Sequence, residues 1–163
     1  MMLTTKGRYA VMALVDMAGQ NRFLGQNKAI SLADIAARQD ITVAYLEQIF
    51  CKLKNAGVVK SIRGPGGGYV LAKDAADTSI SEIISAVEEQ IKMVRCGTHG
   101  AAEGKKAGCM GEKGKCATHD LWDGLGRQIE NYLNAVTLED VISNKLSRSE
   151  DKDLRENTRI NHA

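Results

Sequence analysis

The sequence has no apolar run long enough to span a bilayer, which argues against a helical membrane protein. Nothing at its start resembles a signal peptide, so the expectation is a soluble, cytoplasmic protein whose thiols stay reduced. No Gly-Lys-Ser/Thr follows the run Gly64-Pro-Gly-Gly-Gly68, so a phosphate-cradling nucleotide loop is discounted. Nothing resembles a nucleophile–base pair or a substrate-pocket signature, so the chain is not expected to be an enzyme. The short C-x2–4-C knuckles usual in structural zinc sites are missing as well. What remains is a chain of 163 residues with 44% hydrophobic content, enough for about one domain plus an accessory element.

The net charge of +2 hides an asymmetry. Up to residue 73 there are ten cations (Lys6, Arg8, Arg22, Lys28, Arg38, Lys52, Lys54, Lys60, Arg63, Lys73) against four carboxylates (Asp16, Asp34, Asp40, Glu47), an excess of six. A basic N-terminal half points to a polyanion, most simply nucleic acid, with a solvated basic face as the alternative.

The pattern of that half favours DNA. Thr4 or Thr5 caps a first helix carrying Ala10, Val11, Leu14 and Ala18, predicted to end near Gly19. Ser31-Leu-Ala-Asp34 opens a second, short helix with Leu32, Ile35 and Ala36. After a turn at Gln39-Asp40, Thr42 caps a third helix whose inward face is Leu46, Ile49, Phe50 and Leu53, and Gly57 supplies a left-handed stop. Cys51, beside Phe50, reads as a small core or boundary residue. Two helices joined by a tight turn make a helix-turn-helix candidate. Strands at Val58–Arg63 and Tyr69–Leu71, joined by the glycine-rich tip, extend it to a winged helix. The fold class expected is mainly α with a small β-hairpin wing, followed by a long dimerisation helix. Arg63, beside the tip, is placed to enter a minor groove.

Further along, Cys96, Cys109, Cys116 and His119 lie in a stretch with Met110 as its only large apolar residue between the first and third thiols. Burial cannot offset the entropy of ordering such a segment. Thiolates are soft ligands for iron–sulfur clusters, zinc or copper(I), and Arg95, Lys105, Lys106, Lys113 and Lys115 lower thiol pKa values. Disulfides, a Cys3His zinc site and an idle loop are the competing readings. The thiols are separated by twelve and six residues, against the short spacing zinc usually uses.

These residues resemble the IscR-type regulators, bacterial winged-helix transcription factors that sense iron–sulfur cluster status. The likeness rests on Leu3-Thr-Thr-Lys-Gly-Arg-Tyr-Ala10, Tyr45-Leu-Glu-Gln48, Arg63-Gly-Pro-Gly-Gly-Gly-Tyr69, Cys116-Ala-Thr-His119 and Leu121-Trp122, and it runs from about residue 2 to residue 144. It implies a two-iron two-sulfur cluster on Cys96, Cys109, Cys116 and His119. It also implies a homodimer on a double-stranded DNA operator, control of cluster-assembly genes as repressor and possible activator, and the cluster-assembly machinery as cluster donor. The Cys96–Cys109 gap is longer than the family's, and the extra piece holds His99, read as a solvent-facing loop residue. A regulator sensing nitric oxide or redox state through another cluster type and a zinc-stabilised repressor are the alternatives.

Histidine in place of a fourth thiolate makes a cluster less negative and raises its potential, which suits sensing more than electron transfer. For DNA reading, Thr42, Ala44, Tyr45, Glu47 and Gln48 fall on the exposed side or at the start of the recognition helix. Thr42, Tyr45 and Gln48 donate hydrogen bonds, while Glu47 accepts only from a base amine and acts as a discriminator. Ala44 stands where the family usually has serine.

The expected organisation is a DNA-binding domain at 1–78, a connecting helix at 79–95, a cluster loop at 96–118, a dimerisation helix with a short final helix at 119–144, and a disordered tail at 145–163. Ser79 caps the connecting helix, whose stripe is Ile80, Ile83, Ile84, Val87 and Ile91. Leu121, Trp122, Leu125, Ile129, Tyr132, Leu133 and Val136 make the dimerisation face, and Thr137 caps the last helix.

Overall fold

The computed structural model describes residues 5–24, 28–87 and 116–146. The elements are α1 (Thr5–Leu24), α2 (Leu32–Gln39), α3 (Val43–Asn55), β1 (Val59–Ile62), β2 (Gly68–Leu71), a 3-10 turn (Ala75–Asp77), α4 (Ile80–Ala86), α5 (His119–Ala135) and α6 (Leu138–Ile142). No helix among the described residues is long and apolar enough to cross a membrane.

Local capping sets most of the helix starts. The hydroxyls of Ser31, Thr42, Ser79 and Thr137 each accept a bond from the backbone N–H three residues on, satisfying donors the first turn leaves open. At Thr137 the Asp140 carboxylate accepts from the Thr137 amide in return. These bonds, led by that from the Thr137 hydroxyl, hold the Asp140 carboxyl below the usual carboxylate range.

α1 does not stop at Gly19 but continues to Leu24. A glycine costs a helix interior only about 1 kcal/mol relative to alanine, and α1 is anchored on both sides of it. Ala10, Ala13, Leu14 and Met17 are fully buried, and Arg22 in the last turn pairs with Glu139 of α6 at 2.7 Å. Thr5 is the first helical residue, and Thr4 lies outside the described residues.

One buried cluster joins α1, α2, α3, β1, α4, Val136 and Leu138. α4 enters it through Ile80, Ile83 and Ile84, with Val87 following; Ile91 lies outside the described residues. α6 is fastened to the start of α4 by an antiparallel bridge between Ser79 and Thr137, in which Ile80 N–H donates to Val136 O at 2.9 Å and Leu138 N–H to Thr78 O at 3.0 Å.

Asp16 on α1 ties α2 in place. Its carboxylate, 6% exposed, accepts from Arg38 Nε at 3.0 Å, Arg38 Nη2 at 2.6 Å and Gln39 Nε2 at 3.1 Å. The bond to Asp16 also raises the Arg38 pKa further. Charge-assisted bonds of this kind contribute about 1.5–3 kcal/mol. Asp16→Ala is expected to lower stability by about 2 kcal/mol, read as a lower urea midpoint at unchanged slope. An unchanged midpoint would show that the pair contributes nothing net.

Candidate nucleic-acid interface and cluster site

α3 presents two faces of different chemistry. Leu46, Ile49, Phe50 and Leu53 are buried, while Thr42, Ala44, Glu47 and Gln48 are exposed. A left-handed Asp40 (φ 51°) and buried Ile41 turn the chain between α2 and α3, completing the helix-turn-helix. The Thr42 hydroxyl is occupied as an acceptor by Tyr45 N–H at 3.4 Å, which leaves its own hydrogen to donate. Tyr45 is half-buried, because its ring meets Tyr9 of α1 edge-on at 5.9 Å. Cys51 is exposed, not the small core or boundary residue expected. It lies about 140° around the helix from Leu46, a signal the sequence already carried.

The wing is β1 paired antiparallel with β2, with Val59 opposite Leu71 and Ile62 opposite Gly68. β1 is one residue shorter at each end than expected, and β2 begins at Gly68. At the tip, Gly67 N–H donates to Gly64 O at 2.8 Å and Gly66 has φ +76°. Pro65 followed by a positive-φ glycine is the type II pattern.

An anchor that sequence reasoning missed fixes the wing's position. Ile30 and Tyr69 exchange N–H···O bonds at 3.0 and 2.9 Å, and the Tyr69 ring packs on Phe50 of α3 with centroids 4.9 Å apart. A Cβ at Gly68 would sit 2.4 Å from the Ile30 carbonyl oxygen, so the close approach requires glycine. Arg63 is exposed between β1 and the tip, on a hairpin braced against α3.

Of the four expected ligands, Cys116 and His119 are described; Cys96, Cys109 and His99 lie outside the described residues. His119 opens α5 and is 4% exposed. Its backbone N–H donates to Cys116 O at 3.0 Å, so one turn holds both residues at the same end of the helix. The Cys116 thiol is free, half-buried and 3.7 Å from Thr118 Oγ1. Among the described residues no three His, Cys, Asp or Glu side chains converge as a metal site. A thiolate and an imidazole on one turn are two soft-to-intermediate donors, a set that fits zinc or an iron–sulfur cluster and not a hard cation.

α5 carries this turn at one end and an apolar stripe along its length. Leu121 is 63% exposed, Tyr132 55%, and Trp122 and Leu125 41% each, all within about 100° of arc. Leu133 packs against the core, and Val136, just past the helix, is buried in it.

Comparison with known proteins agrees with this arrangement. The Rrf2 family model, described as an iron-dependent transcriptional regulator, matches residues 3–144. An HTH-type transcriptional regulator of Neisseria meningitidis serogroup A is 46% identical over 145 residues, covering 89% of this chain and 90% of its own. The HTH-type transcriptional regulator IscR of Klebsiella pneumoniae is 44% identical, covering 89% and 82% respectively. Among solved structures, CymR, the global cysteine regulator of B. subtilis, superimposes with a TM-score of 0.68 at 31% identity, over 88% of this chain and 97% of its own. T. potens IscR gives 0.65 at 30% identity, over 89% and 88%. Helix-turn-helix, braced wing and family match together place the chain in the Rrf2 family, as a winged-helix, DNA-binding transcriptional regulator and not an enzyme.

Proposed function

We propose that the protein is a cytoplasmic, homodimeric regulator that senses iron–sulfur status through a two-iron two-sulfur cluster held by Cys96, Cys109, Cys116 and His119, and that it controls cluster-assembly genes. The observation that supports the reading is the turn whose backbone bond holds Cys116 and the buried His119 at the head of α5. The similarity to IscR proteins supports it. When bound, the cluster supplies a redox-active centre whose loss or oxidation is the signal, and the cell's cluster-assembly machinery is the donor.

The chain's own residues connect that centre to DNA. His119 begins α5, and the far end of α5 runs into Val136, whose carbonyl accepts from Ile80 of α4. α4 shares a buried cluster with α3. Residues 1–78 read DNA: Thr42, Tyr45 and Gln48 donate, Ala44 offers apolar contact, Glu47 accepts from a base amine, and Arg63 enters the minor groove. The exposed stripe of α5 is where a second copy packs, since an apolar face of this extent is costly to leave bare. A two-fold dimer reads a roughly palindromic operator.

Ultraviolet-visible and Mössbauer spectra of anaerobically purified protein test the centre. The expected result is a coloured protein with a two-iron signature and, in gel shifts, operator preference that changes when the cluster is removed. A colourless protein holding stoichiometric zinc would overturn the sensing reading in favour of a zinc-stabilised repressor.

A further inference from the structure

The large apolar side chains of α3 turn inward with one exception. Leu46, Ile49, Phe50 and Leu53 are buried and Tyr45 is half-buried, whereas Val43 is 40% exposed and stands outside the core cluster. Val43 is the first residue of α3, directly after the Thr42 cap, so no earlier turn of the helix lies beneath its side chain. Its Cα–Cβ bond tilts toward the helix N-terminus, which sends the γ-methyl groups forward off the end of the helix. Glu47, four residues on and also exposed, shares its side of α3.

A recognition helix meets base edges with its N-terminal residues. A valine there makes no hydrogen bond, and a phosphate offers it nothing. The major-groove edges of the base pairs present donors, acceptors and a single apolar group, the C5-methyl of thymine. We propose that Val43 is a specificity-determining residue that reads a thymine methyl in each bound half-site. Cytosine, the other pyrimidine, lacks that methyl, so the contact favours T·A over C·G. The proposal rests on α3 being the recognition helix of a dimer. It adds an apolar contact to the hydrogen-bonding set of Thr42, Tyr45, Glu47 and Gln48.

Uracil tests it, because deoxyuridine differs from thymidine only in lacking the 5-methyl group and keeps every hydrogen-bonding group. The probe is a fluorescent duplex enriched by the full-length wild type from a random-sequence pool. It is resynthesised with deoxyuridine for thymidine at one pair of symmetry-related positions at a time, and affinities are compared at one fixed salt concentration. In the wild type, one such pair is expected to weaken binding about 15-fold, the product of roughly 4-fold for each methyl withdrawn from contact. Val43→Ala is expected to bind the thymine duplex more weakly by a similar factor and to lose the thymine–uracil difference at that pair alone. Val43→Ile, which keeps the branched methyl, is expected to retain it. The position is exposed and alanine is the better helix former, so loss of the fold does not explain the expected result.

Two outcomes would overturn the role: no thymine pair whose methyl matters to the wild type, or a methyl effect that Val43→Ala keeps at every position. An effect of uracil on duplex shape would survive in Val43→Ala and so counts against the role as well. If Gln48→Ala weakens binding of the selected duplex while Val43→Ala keeps every methyl effect, only the role of Val43 fails. If neither substitution changes binding of a duplex that the wild type selects, the recognition-helix reading fails and the role of Val43 with it.

Discussion

Cys116→Ala is expected to remove the cluster entirely, leaving a colourless protein that still folds. Cys116 is held one turn from His119 by the bond from His119 N–H to Cys116 O. The one other described thiol, Cys51, is on the exposed face of α3, so Cys51→Ala is expected to leave the spectrum nearly intact. Cys96→Ala and Cys109→Ala are expected to match Cys116→Ala. His119→Ala is expected to give a cluster that forms but decays faster, and His99→Ala to behave as wild type. Retention of the visible bands by any of the three cysteine variants would sink the ligand set. Equal losses from the two histidine variants would mean that the longer Cys96–Cys109 segment has rearranged the coordination.

Glu47→Ala is expected to raise affinity, where the other interface substitutions lower it. Glu47 is exposed on the same face of α3 as Ala44 and Gln48, the surface proposed above to read DNA. A carboxylate there is repulsive except opposite a base amine. Removing it takes away the repulsion and leaves the donors of Thr42, Tyr45 and Gln48 in place. Cluster-free protein should then gain about 5- to 150-fold on operators it normally rejects, the equivalent of roughly 1–3 kcal/mol for one base contact. Titration of wild type and variant, with and without cluster, against one operator that the cluster-free protein binds and one that it rejects, at one fixed salt concentration, decides it. Equal changes at every site would reduce Glu47 to an ordinary solvated charge.

The features legible in the sequence were those written within a few neighbouring residues. Ser31, Thr42, Ser79 and Thr137 announce helix starts because a cap and its partner amide are three residues apart. Leu46, Ile49, Phe50 and Leu53 announce the inward face of α3 because burial there follows the helical period. What escaped depends on distant partners. Nothing local to Ile30 says that it exchanges two hydrogen bonds with Tyr69, nor does Ser79 reveal that it faces Thr137. The course of α1 past Gly19 was misjudged for the same reason: its continuation is favoured by contacts such as that of Arg22 with Glu139, over a hundred residues away. Half of the expected cluster site, Cys116 and His119, is brought together on one turn. Cys96 and Cys109 lie outside the described residues and remain a reading from the sequence.

The bridge between Ser79 and Thr137 also bears on how this family can vary in length. Across it Ile80 N–H donates to Val136 O and Leu138 N–H to Thr78 O, so the chain between α4 and α6 is closed at its base by pairings that do not involve the residues in between. The cost of closing such an excursion grows only with the logarithm of its length, about 0.6 kcal/mol for each doubling. A few additional residues between Cys96 and Cys109 therefore cost the fold very little. On the proposed ligand set, spacing there is constrained by coordination and not by the fold, whose two ends stay fixed by the core.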